Sequence, residues 1–123
     1  MFKLMKEAAY WWPVTIKRPS QERPGELDED VIRVRYRYLK QTQHDALMEE
    51  LKQSREAGAP IDDKQFAKRV VLELADIVDD DGQPMAYTPE LFELVLNEPG
   101  ETPAATAITK AYFDSRAGVL EKN

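Results

Sequence analysis

The sequence predicts a mainly α fold with a small β part: an N-terminal antiparallel β-hairpin followed by about four short helices. Three observations lead there. Ile32, Val34, Tyr36 and Tyr38 alternate with Arg33, Arg35 and Arg37, the period of two that marks a strand with one buried face. After Leu39 the apolar period becomes helical, with His44, Leu47, Met48 and Leu51 at i, i+3, i+4 and i+7. The later apolar blocks are then separated by Gly, Pro and capping residues, which start and stop helices rather than strands. At 123 residues the chain is read as one domain, with an arm at 1–9, the hairpin at 10–39, a helical part at 40–118 and a tail at 119–123.

Residues 1–9 read as a loose arm or short helix. The first strand is short: Trp12, Val14 and Ile16 alternate with Pro13, Thr15 and Lys17. Pro13 belongs at a strand start or edge, because it has no N–H to give a ladder. Residues 18–30 hold Pro19, Pro24, Gly25, Asp28, Glu29 and Asp30 and read as a loop; residues 31–39 form the second strand. Two strands alone are marginal in water, so helices must cover their apolar face or a second copy must extend the sheet.

The first helix opens at a Thr42/Asp45 capping box and ends at Gly58 and Pro60. The second starts at Asp62, with Ile61 and Phe66 as a hydrophobic staple, and carries Phe66, Val70, Leu74 and Ile77 as its stripe. The turn Asp79-Asp80-Asp81-Gly82 follows, since Gly accepts positive φ and Asp bonds the backbone two residues on. Thr88 caps the third helix, Pro89 takes its first position, and Tyr87 staples to Phe92. That helix runs to about Asn97 and is broken by Pro99 and Gly100. Thr102 and Pro103 open a fourth through Ala105, Ile108, Tyr112 and Phe113, with Gly118 as its stop.

Composition and motifs narrow the function classes. A formal net charge of −6 argues against wholesale binding to nucleic acid or an anionic membrane. No apolar run approaches the roughly 18–20 residues that span a bilayer, and the N-terminus lacks a signal-peptide core. The absence of cysteine fits a reducing cytoplasm and excludes disulfides and thiolate metal sites. An EF-hand reading of the acidic turn fails, because it needs an oxygen ligand at Ile77 and a bidentate Glu at Thr88. His44 is the only histidine, no serine sits in a nucleophile elbow, and no Gly-rich phosphate loop is present. The expectation is therefore a protein that is not an enzyme and uses no cofactor or metal.

Two features are left that point to partners. Arg33, Arg35 and Arg37 form the one basic face; it reads either as the wet side of a strand or as a contact for phosphates or an acidic protein. Trp11 and Trp12 are adjacent and must face opposite sides of a strand, so one enters the core and the other lies near the surface or in an interface. With Phe92, Leu96, Tyr112 and Phe113, large apolar groups on short helices, Trp11 completes the set of candidate partner contacts.

In order, Trp12-Pro13-Val14-Thr15-Ile16, the strand Val31 to Leu39, the helix from near Gln41, Leu74-Ala75-Asp76-Ile77-Val78, Asp80-Asp81-Gly82-Gln83-Pro84, Tyr87-Thr88-Pro89-Glu90-Leu91 and Ala107 to Phe113 resemble the phage tail assembly chaperones of siphophage-type genomes and prophages. The resemblance covers roughly residues 10–118. The chain departs from it at Ala75-Asp76-Ile77-Val78, where an aromatic, often Trp, is expected before the turn. It implies a non-catalytic protein of the host cytoplasm that keeps the tape measure protein soluble while the tail tube assembles. Its implied partners are that client, the tail tube protein, a frameshifted longer form of itself and further copies of itself. A small structural component of the tail or connector is the alternative, and a nucleic-acid-associated regulator using the arginine face is a third.

Overall fold

A computed structural model describes residues 8–121; residues 1–7 of the expected arm and 122–123 of the expected tail lie outside the described residues. The chain order is β1 (Ala9–Pro19), β2 (Leu27–Arg37), α1 (Gln41–Glu56), α2 (Asp63–Val70), β3 (Val71–Ala75), α3 (Pro89–Leu96) and α4 (Ala104–Glu121). The three strands form one antiparallel sheet in the order β1-β2-β3. This is a mixed α/β fold, and it corrects the expectation of a mainly α one.

The correction comes from residues 71–75. The expected second helix stops at Val70, and the chain passes directly into β3, which pairs Arg33 with Ala75, Val34 with Leu74 and Arg35 with Glu73. The segment Val71-Leu72-Glu73-Leu74-Ala75 is apolar enough to satisfy either period, and an apolar run of that length does not decide between them. The open edge of β2 decides: a third strand satisfies its backbone groups, which a helix cannot do. A bulge between Arg35 and Tyr36 then keeps both Leu74 and Val71 facing the core.

The hairpin is longer and its loop shorter than expected. β1 and β2 are in register from Ala9↔Arg37 to Pro19↔Leu27, so residues 18–19 and 27–30 of the expected loop are strand and the loop shrinks to 20–26. Cross-strand charge holds this outer half: Lys17 lies 3.6 Å from Glu29, and Arg18 reaches Asp30 at 2.9 Å. The alternation works as read. Val14, Ile16, Ile32, Val34 and Tyr36 are buried, while Trp11, Thr15, Lys17 and Arg33 are exposed on the other face.

The helices bury their apolar stripes against the inner face of the sheet. Phe66, Ala67 and Val70 of α2, Leu91, Phe92, Val95 and Leu96 of α3, and Ala104, Ala105, Ile108 and Tyr112 of α4 join the strand residues in one core. Each fully buried large aliphatic or Phe side chain contributes about 1.5–3 kcal/mol. Thr88 caps α3 by accepting from the Leu91 N–H at 3.0 Å, and the Tyr87 and Phe92 rings lie 6.3 Å apart as a staple. Asp62 caps α2 through the Gln65 N–H at 2.8 Å. The start of α1 differs from expectation: it begins at Gln41, and the Gln43 side chain accepts from the Lys40 N–H at 2.9 Å, so Thr42 is inside the helix. Gly118 likewise is not a stop. It lies within α4, where a Cβ would stand 3.4 Å from the Trp12 ring, an ordinary van der Waals contact.

The buried polar groups in the core are matched. The Tyr36 hydroxyl donates to the Ile108 carbonyl at 2.6 Å. Ser115 Oγ donates to the Tyr112 carbonyl at 2.8 Å and so accepts from the Tyr10 hydroxyl at 2.7 Å. Arg116, almost fully buried, donates to the Leu39 carbonyl at 2.9 Å. These bonds tie α4 to both strands of the hairpin and fix which face of the helix meets the sheet.

Candidate functional site

The ladder between β2 and β3 covers only Arg33 to Tyr36. Beyond it, Asp76 takes a left-handed conformation (φ 68°) and the chain bends off the sheet. L-residues rarely adopt this region; Asp is among the few that do, through local hydrogen bonding. Here the Arg33 guanidinium holds the Asp76 carboxylate, Nε to Oδ2 at 2.6 Å and Nη2 to Oδ1 at 3.1 Å. That contact holds the Asp76 carboxyl below its ordinary range and raises the Arg33 guanidinium.

Past the bend the chain folds into the acidic turn. Asp79 Oδ1 accepts from the Asp81 and Gln83 N–H groups, both at 2.9 Å, and Gly82 supplies the positive φ of 77°. Between this turn, the outer half of β2 and the end of α3 lies a groove of about 670 Å³. Ile16, Ile32, Leu91 and Val95 form its floor. Four exposed apolar side chains stand along it: Val31 at 53%, Val78 at 56%, Met85 at 40% and Leu94 at 64%. Among the described residues its walls carry Asp30, Asp76, Asp79, Asp80 and Glu98 and the cation Arg18. Arg18 bridges two of these carboxylates, Asp30 at 2.9 Å and Glu98 at 3.4 Å, and so ties the hairpin to the end of α3.

The residues expected to meet partners are scattered by the fold. Phe92, Leu96 and Tyr112 are core residues with exposures of 6%, 1% and 0%, so as contacts they are corrected: burial uses their surfaces within the chain. Phe113 is 39% exposed, stacked on Phe66 at 5.4 Å and set edge-on to His44 at 6.4 Å. Trp11 is 40% exposed on the open face of the sheet, and the Arg33 guanidinium lies 5.3 Å from its ring. The basic face is not a bare patch. Arg33 pairs with Asp76, and Arg35 Nη1 meets the Glu73 carboxylate at 3.1 Å; Arg37 is half-buried. Both acids belong to β3 or its end, the element the sequence reading missed.

The groove residues were missed for a related reason. Val31, Val78 and Leu94 each lie next to a stripe rather than on it: Val31 precedes Ile32, Val78 follows Ile77, and Leu94 stands outside the Leu91/Phe92/Val95/Leu96 face. An apolar residue out of phase with its element was the available signal. His44, on the apolar stripe of the first helix, is half-buried with Nδ1 3.0 Å from the Tyr112 hydroxyl, and burial lowers its pKa. Among the described residues no three His, Asp or Glu side chains gather around a common centre, and no helix is long and apolar enough to cross a membrane. Comparisons of the chain with protein-family models, with curated proteins and with solved structures found no match.

Proposed function

We propose that this chain is a non-catalytic assembly chaperone of a phage tail, which holds the tape measure protein soluble until the tail tube forms around it. The observation that carries the reading is the groove: four large apolar side chains left in water along one concavity, on a small acidic domain. Apolar groups gathered this way are a standing offer of burial to another chain. The surrounding charge keeps the holder itself dispersed. The ordered sequence segments that resemble the tail assembly chaperones supply the identity of the client.

The arginine pairs speak against the nucleic-acid reading. Arg33 and Arg35 already neutralise carboxylates, and a phosphate would have to displace Asp76 and Glu73.

The test is co-expression with a fragment of a tape measure protein encoded beside this chain, followed by a tagged pull-down. A soluble complex is the expected result. A client that precipitates equally with and without this chain overturns the reading.

A further inference from the structure

Sheet edges are where one chain accepts a strand from another, and this sheet treats its edges unequally. The outer edge of β1 is blunted twice: Pro13 has no N–H to offer, and the Lys17 carbonyl already accepts from the Glu101 N–H at 2.8 Å. β3 is only five residues long. The inner strand β2 is different. Its residues Leu27–Ile32 pair with β1 on one side, but the ladder to β3 ends at Arg33, so among the described residues the other side of this half-strand has no third strand. Every second residue there directs its N–H and C=O toward the groove.

From this juxtaposition we propose that the groove takes an extended segment of a partner as an added strand, in line with β3 and antiparallel to β2, and that the segment alternates apolar residues with Lys or Arg. The alternation follows from the walls. An added strand sends successive side chains to opposite faces of the sheet. On the inner face they meet the buried side of Leu91 and Val95; on the other they share the exposed face of Val31, in a groove whose lining also carries Leu94, Asp79 and Asp80. Arg18 already pairs with Asp30 and Glu98, and Arg33 with Asp76, so the carboxylates left to draw a cation are Asp79 and Asp80 at the acidic turn. Asp80 and Leu94 lie at the exposed surface, free of the core, so substitutions there leave the fold intact. This inference rests on the partner-holding role proposed above and specifies how the partner is held.

The experiment uses the whole chain and a short fluorescent peptide alternating Lys with Val and Leu. Anisotropy reads affinity, and amide exchange reads the backbone of Leu27–Ile32. The expected result is binding that weakens with salt and slows exchange at alternate amides of that half-strand. N-methylation of alternate peptide amides, Leu94→Lys or Asp80→Lys should each weaken binding roughly tenfold or more. A version with Glu in place of Lys should not bind. No binding, or binding by a helix-stapled peptide of the same composition without protection of β2 amides, overturns the proposal. The two readings separate cleanly. A chain that keeps the tape measure fragment soluble yet ignores the strand peptide retains the chaperone role and loses this mode of holding.

Discussion

Arg33 and Asp76 meet through two hydrogen bonds, at 2.6 and 3.1 Å, at the point where β3 leaves the sheet. One residue ends the ladder by turning left-handed; the other pins its side chain back onto β2 and stacks over Trp11 on the way. The groove exists because the chain bends here rather than continuing along β2.

That geometry ranks the substitutions at Asp76. Asn tolerates positive φ but loses the charge; Ala loses both the tolerance and the bonds. Melting temperatures should fall in the order wild type, Asp76→Asn, Asp76→Ala, with Arg33→Ala close to Asn because it removes the pair and leaves the backbone preference. The pair holds the Asp76 carboxyl below its ordinary value of 3.8. Its stabilisation is therefore present above that pH and lost as pH falls below it, and an acid titration of the wild type against Asp76→Asn should converge there. Equal melting of the Asn and Ala variants would show that the left-handed backbone is not under strain.

Three tyrosines predict the behaviour at the alkaline end. Burial is the main cause that raises the phenol pKa of Tyr10, Tyr36 and Tyr112 above the ordinary 10.0, most of all at Tyr36. The folded state holds these protons more tightly than the unfolded state. Stability should be full below about pH 10 and should fall as pH rises beyond it, with tyrosinate absorbance appearing together with loss of helical circular dichroism. Tyr36→Phe removes the bond to the Ile108 carbonyl and should cost about 0.5–1.5 kcal/mol at neutral pH by urea titration. Ionisation that runs ahead of unfolding would mean water reaches these rings in the folded state.

The helix caps offer a cleaner reading of local sequence. Thr88→Ala and Asp62→Ala each remove an acceptor for an N–H in the first turn and should each cost about 1 kcal/mol. The sites lie on different helices with no shared partner, so the double variant should lose close to the sum. A much larger loss at Thr88 would show that the Tyr87–Phe92 staple depends on the cap.

Such elements were legible because their signals are local. Cap, proline and staple at Thr88, Pro89 and Phe92 act within one turn, and the alternation of β2 needs only its own residues. Residues 71–75 were not legible, because what makes them a strand is the open edge of β2, some forty positions earlier. One missed strand accounts for both failures at the candidate site. Without β3 there are no partners for Arg33 and Arg35 on the open face, and without its end there is no groove. Phe92, Leu96 and Tyr112 were overread for the complementary reason: a large apolar residue looks the same in sequence whether the core uses it or not.

Gly100 carries the last prediction. A Cβ there would stand 2.8 Å from the Lys17 and Thr102 carbonyl oxygens, both backbone atoms that cannot step aside as a side-chain tip would. The close approach lets the neighbouring Glu101 N–H reach the Lys17 carbonyl at 2.8 Å and cover the exposed edge of β1. Gly100→Ala should therefore cost about 1–3 kcal/mol by overpacking. It should also speed amide exchange at Glu101 and, by uncovering the edge, promote concentration-dependent association in sedimentation. Gly25→Ala is the control for composition, since none of the described residues lies within 4 Å of a Cβ there and its cost is confined to a positive φ of 83° in an exposed turn. Destabilisation without association would assign Gly100 to packing alone; association would show that this loop is what keeps β1 from pairing with a second copy.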